Sequence, residues 1–159
     1  MSRVIYTEPL TATAFAPYGQ VIETGSNPRI INAGLCERHH DLCTLDAASG
    51  KIGISVFSAQ ARALPYAFAL LERHPEGSQA FIPMTQEPFL VIVSDSPEHQ
   101  PRAFLTNGRQ GINLARGTWH GVLTPLAEPG LFTVVDRIGE GANLEEVTLE
   151  QPWLVERAL

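Results

Sequence analysis

The chain has 159 residues, of which 44% are apolar and 18% charged, enough for one hydrophobic core and one domain spanning 1–159. A formal charge of -6 argues against nucleic acid, whose phosphates select clustered Lys and Arg, and no apolar run approaches the roughly 18 residues of a membrane span. The start MSRVIYTEPL lacks a basic flank followed by a long apolar stretch, so a soluble cytoplasmic protein acting on small molecules is expected.

With 12 Pro and 13 Gly, regular structure is interrupted too often for a helical bundle, and the expected fold is all-β with many short strands. RVIYTEPL and GQVIET combine β-branched and aromatic residues, and read as strands around a turn at Pro17-Tyr18-Gly19. HHDLCTLDAA is a candidate for a short helical turn, with Asp41 as its cap. KIGISVFSAQ, YAFALLERH and FLVIVSD are the strongest strand candidates, and RAFLT, GINLAR, TWHGVL and LFTVVDRI continue the series. The acidic tail LEEVTLEQPWLVERAL fits a last strand or a peripheral helix. Strands recurring at about ten-residue intervals suggest a barrel or sandwich.

Positive charge comes from ten Arg and the single Lys51, which leaves little scope for Schiff-base chemistry. Cys36 and Cys43 match neither a disulfide framework nor a zinc knuckle and read as free thiols.

Two clusters carry chemistry. In LERHPEGSQAFIP, Glu72 and His74 stand two apart and share one face of an extended strand. Gln79 follows a Pro75-Glu76-Gly77-Ser78 turn that can return its amide toward that face. The simpler alternative pairs Glu72 with Arg73 or Arg62 at a barrel rim and leaves His74 partly exposed. In RGTWHGVL, Arg116-Gly117 makes a tight turn and His120 leaves it on a strand, where it is either functional or a hydrogen-bonded core histidine. His99, in SDSPEHQPR, reads as surface. Glu145 and Glu146 face opposite ways on a strand and read as a solvated edge.

E-x-H-x4-Q followed by R-G-x-x-H resembles the two-part cupin signature, in which H-x-H-x4-E and P-x-G-x-x-H place metal ligands inside a small β-barrel. Glu72 falls on the first histidine, His74 on the second, Gln79 on the acidic ligand and His120 on the last histidine. The stretches ERHPEGSQAFIP, IINAGLCERHHDL, RAFLTNGRQGINLARGTWHGVL and FTVVDRIGEGANLEEV are similar to those of one cupin family, the ureidoglycolate lyases of allantoin degradation, formerly described as ureidoglycolate hydrolases.

The resemblance implies a cupin-type β-barrel of short antiparallel strands, a homodimer, and cleavage of (S)-ureidoglycolate to glyoxylate and urea. Glu72, His74 and His120 become candidate catalytic residues. Glu72, His74, Gln79 and His120 become candidate ligands of a divalent metal, with nickel, manganese, iron and zinc all fitting the donor set. Neutral Gln79 in place of an acidic ligand lowers metal affinity, and without metal the same residues would form a polar substrate pocket. The substrate carboxylate calls for an arginine fork, for which Arg38, Arg73, Arg116 and Arg137 are candidates; Gln79 completes the substrate-binding set. His40 sits either in a solvated loop or near the pocket of a dimer partner. Two alternatives stay open: hydrolysis of the same substrate with ammonia release, and a non-catalytic cupin binding a small carboxylic acid.

Overall fold

The computed structural model describes residues 3–159; Met1 and Ser2, the first two residues of the expected 1–159 domain, lie outside the described residues. The chain opens with β1 (Arg3–Pro9), a single helical turn α1 (Ala12–Phe15) and β2 (Gly19–Ile22). A short ribbon follows, β3 (Arg29–Ile31) and β4 (Cys36–Arg38), joined by a 3-10 turn at Asn32–Gly34. Then come β5 (Lys51–Ala59), β6 (Tyr66–Arg73), β7 (Gln79–Pro83), β8 (Phe89–Ser94), β9 (Arg102–Leu105) and β10 (Gly111–Leu114). The chain ends with β11 (Trp119–His120), β12 (Thr124–Pro125), β13 (Gly130–Ile138) and β14 (Glu145–Glu156).

The protein is almost entirely β, as its punctuation by Pro and Gly implies, and the acidic tail is the long strand β14. The expected helix near Asp41 is absent: residues 39–46 are irregular, and Asp41 takes a left-handed φ of 55° where a helix cap needs extended backbone. The helical turn stands at Ala12–Phe15 instead, where Thr11 is extended and its hydroxyl accepts from the Ala14 N–H.

Two layers make the barrel. One sheet runs β11-β6-β14-β1-β9-β8-β12, and a further β11–β8 pairing closes its first six members into a ring. The other is a five-stranded sheet ordered β2-β10-β7-β13-β5. The antiparallel expectation fails at β1, which runs parallel to both β14 and β9. No hairpin joins β1 to either neighbour, so turn geometry does not impose an antiparallel direction there.

Side-chain alternation along β8 divides the core in two. Leu90 and Ile92 join Ile5, Phe68, Leu71, Ala103, Trp153 and Val155 from the ring strands. Phe89, Val91 and Val93 point the other way and meet Phe81, Ile112, Leu114, Phe132 and Val134 of the five-stranded sheet. Phe104 anchors this second cluster, with its ring edge-on to Phe15 at 5.6 Å between centroids. It is 0% exposed. Phe104→Ala is expected to lower unfolding free energy by about 3–5 kcal/mol in urea denaturation, because the interlayer packing cannot collapse onto so large a void.

Candidate active site

Cross-strand register brings the two sequence clusters together. His120 on β11 stands directly opposite Val93 on β8 and opposite Glu72 on β6. Opposed residues share a face, so both project to the interlayer side where Val93 packs. The turn preceding β11 fixes the approach: Gly117 takes a φ of 76°, and its N–H donates to the His74 carbonyl at 3.0 Å. This bond ties the second cluster to the first.

Glu72, His74 and His120 each offer a ligand atom, and these atoms lie within 4.8 Å of one another. The imidazole centroids are 5.2 Å apart. His74 Nδ1 lies 2.8 Å from the Asn143 carbonyl and His120 Nδ1 lies 2.9 Å from the Gly121 carbonyl. A carbonyl only accepts, so each Nδ1 carries a proton, and in the neutral ring the lone pair is on Nε2. Both Nε2 atoms are buried without a hydrogen-bond partner. A histidine whose Nδ1–H is held by a carbonyl while Nε2 stays free is the usual arrangement of a metal ligand. The three residues therefore fit a divalent cation.

Burial sets the electrostatics. His120 is 3% exposed, and loss of solvation pushes its pKa down to about 4, with His74 adding to the depression. It is a neutral imidazole at physiological pH, and its 3.9 Å separation from Glu72 Oε1 is a polar contact, not an ion pair. Glu72 is raised above the ordinary carboxylate range by the same desolvation, with His74 opposing the shift and Glu146 adding to it. A small apolar cavity of about 20 Å³, lined by Phe81, Val91, Ile112 and Leu114 among others, adjoins His120.

Gln79 enters from the opposite sheet. It stands two residues before Phe81 on β7 and therefore shares the interlayer face. Its Nε2 donates to Asp136 Oδ2 at 3.1 Å, while its Oε1 is buried without a partner.

The arginines are distributed differently. Arg73 pairs with Glu145 at 2.6 Å and lies over the Trp119 ring, so the alternative pairing of Glu72 with Arg73 is not formed. Arg116 donates through Nε to Asp46 at 2.8 Å, and that contact holds the Asp46 carboxyl below its usual range. Arg137 is buried and donates to Ser49 and to the Glu140 carbonyl; as neighbour to Asp136 on β13, it faces away from the interlayer side. Arg38 is exposed on the ribbon, and His40 is exposed beyond it. His99 is exposed and bonds Ser96, while Glu145 and Glu146 are exposed on β14.

Asp136 escapes the sequence reading, although LFTVVDRI places it in phase with Phe132 and Val134 on the inward face. Asn143 and Gly121 escape it as well, because their contribution is a backbone carbonyl that no side chain announces.

A sequence model described as Ureidoglycolate lyase matches residues 2–156. The chain is 57% identical over 154 residues to a Rhodobacter capsulatus protein named ureidoglycolate lyase, covering 94% of this chain and 96% of that one. Proteins of the same name from Burkholderia mallei and a Chelativorans species are each 46% identical, covering 99% and 95% of this chain and 96% and 95% of theirs.

Glu72 supplies a test of the site's electrostatics in metal-free protein. Its folded-state pKa lies above its unfolded value, so the ionised carboxylate costs stability once pH rises through the folded value and costs nothing below about 4.5. Glu72→Gln is therefore expected to unfold at a higher urea concentration than the parent at neutral pH. The difference should vanish in acid. An unchanged or lower midpoint at neutral pH would contradict the assigned desolvation.

Proposed function

The chain belongs to the ureidoglycolate lyase family, and from that premise we propose that Glu72, His74 and His120 form its catalytic centre and split (S)-ureidoglycolate into glyoxylate and urea. The enzyme is a lyase of allantoin catabolism. The observation that carries the site assignment is the convergence of one ligand atom from each of Glu72, His74 and His120 within 4.8 Å, at two rings whose Nε2 atoms are buried without a protein partner.

The substrate bears its hydroxyl and its ureido nitrogen on the same carbon. Cleavage turns the C–OH into the aldehyde of glyoxylate, sends the C–N bonding pair to nitrogen, and moves one proton from oxygen to that nitrogen. In the metal-free site Glu72 suits the transfer in both directions: a carboxylate of raised pKa takes the hydroxyl proton readily and can return it to the departing nitrogen. His120 is too weak a base to hold a proton at neutral pH, so its role is to present a lone pair from Nε2. His74 presents the same atom from the neighbouring strand end. A divalent metal bound by Glu72, His74 and His120 would supply positive charge that makes the substrate hydroxyl more acidic. Nickel, manganese, iron and zinc all suit this mixed nitrogen and oxygen set. The free thiols of Cys36 and Cys43 accord with a reducing cytoplasm.

Glu72→Gln and His74→Ala are each expected to lower kcat about 10²–10⁴-fold with folding retained, measured as urea formed from ureidoglycolate in urease-free conditions. Ammonia in place of urea would favour the hydrolytic alternative. Absence of any turnover would favour a binding cupin.

The assembly we propose is a homodimer built on the five-stranded sheet. β5 is an edge strand of that sheet, and Ile54 at 74% exposure, Val56, Ile82 and Met84 leave an apolar outer surface beside it. Among the described residues the β3–β4 ribbon is a two-stranded sheet of its own, with Leu35 89% exposed at its turn and Arg38 exposed on β4. A second copy covering these surfaces would bring Arg38 and His40 toward a neighbouring pocket, which accords with the engagement of Arg73, Arg116 and Arg137 elsewhere. Sedimentation should show a dimer, and Ile54→Arg should shift it to monomer. A monomeric parent protein would contradict the arrangement.

A further inference from the structure

Asp136 is the one acidic side chain on the inward face of β13 that the catalytic scheme does not use. It stands opposite Gln79 in the β7–β13 register, and its Oδ2 lies 3.1 Å from Gln79 Nε2. An amide can present either its oxygen or its NH2, and the two ends have opposite hydrogen-bonding character. A carboxylate accepts, so Asp136 holds the NH2 end and turns Oε1 the other way. That oxygen is 6% exposed at the level of the residue and has no donor. A buried acceptor to which the surrounding protein offers no donor gains when a ligand brings an N–H or O–H to it.

The substrate's own chemistry limits what that donor can be. The carboxylate of ureidoglycolate has none. Its hydroxyl proton is the one Glu72 removes. The N–H groups of the ureido tail remain.

We propose that Gln79 is the specificity residue for the ureido group, accepting a hydrogen bond from its N–H through Oε1, and that Asp136 is the positioning residue that fixes this orientation. The inference rests on the reading of ureidoglycolate as substrate. It makes Gln79 a substrate contact and assigns the cation to Glu72, His74 and His120, whose ligand atoms lie within 4.8 Å of one another. It also explains why a neutral amide occupies a position that an acidic residue could fill: a second carboxylate beside Asp136 would be repelled, whereas an amide is oriented by it.

The test compares two non-reacting probes by calorimetry on the purified protein. Ureidoacetate keeps the carboxylate and ureido tail but lacks the hydroxyl. Glycolate keeps the carboxylate and hydroxyl but lacks the tail. Asp136→Asn, which can donate to Oε1 and reverse the amide, and Gln79→Met, which removes the acceptor at similar volume, should each weaken ureidoacetate about tenfold and leave glycolate unchanged. The KM for ureidoglycolate should rise by a similar factor, with kcat reduced less. Equal weakening of both probes, or a loss of bound metal in Gln79→Met, would overturn the assignment and make Gln79 structural or a ligand. Unchanged ureidoacetate binding in both variants would also overturn it. If the parent protein neither splits ureidoglycolate nor binds ureidoacetate, the substrate reading itself fails and this inference with it.

Discussion

Two backbone carbonyls determine what the site can do. By accepting from the Nδ1–H of His74 and His120, Asn143 and Gly121 fix the tautomer of both neutral rings and leave the Nε2 lone pairs buried without a protein partner. Were either ring rotated or protonated on Nε2, the same three residues would be an ordinary polar cluster. The carbonyls are themselves held. Asn143 accepts from the Glu76 N–H through its side chain at 2.7 Å, and the Gly121 N–H donates to the Ile92 carbonyl at 2.9 Å. The rings thus inherit the rigidity of the turn before β14 and of the ring strand β8, which is how a site made from short strands can be preorganised.

Burial gives this arrangement its chemistry and its cost. The environment that strips His120 of basicity also raises Glu72. Both shifts disfavour charge, and each lowers the stability of the metal-free fold over part of the pH range: ionised Glu72 above its folded value, and His120 held neutral as pH falls from about 6.5 toward 4. A cation or a polar ligand placed among the three would relieve these penalties. Stability and function are therefore opposed at the same residues, and the hydrophobic layer of Val93, Phe81 and Phe104 supplies the reserve that tolerates the conflict.

The sequence made the two halves of the site legible because each is local. Glu72 and His74 share a face through the period of a strand, and Arg116-Gly117 marks the turn that delivers His120. Strand existence was likewise legible from β-branched and aromatic runs, apart from the short ribbon β3–β4, whose residues lie in a stretch read only for its family motif. What could not be read depends on distant partners. Arg73 finds Glu145 and Arg116 finds Asp46 across about seventy residues, so their loss as free carboxylate clamps leaves no local trace. Arg137 is different: alternation along LFTVVDRI already turns it away from Asp136 and Val134. The parallel direction of β1 is set by closure of the ring, a property of the whole chain.

The most direct test of the account is the protonation pattern of the two rings, read by nitrogen-15 NMR of metal-free protein at a pH well above the ordinary imidazole range. Both His74 and His120 should show a protonated Nδ1 and a bare Nε2. A proton on Nε2 of either ring would contradict it, since that ring would then have no lone pair to give to a cation or a substrate.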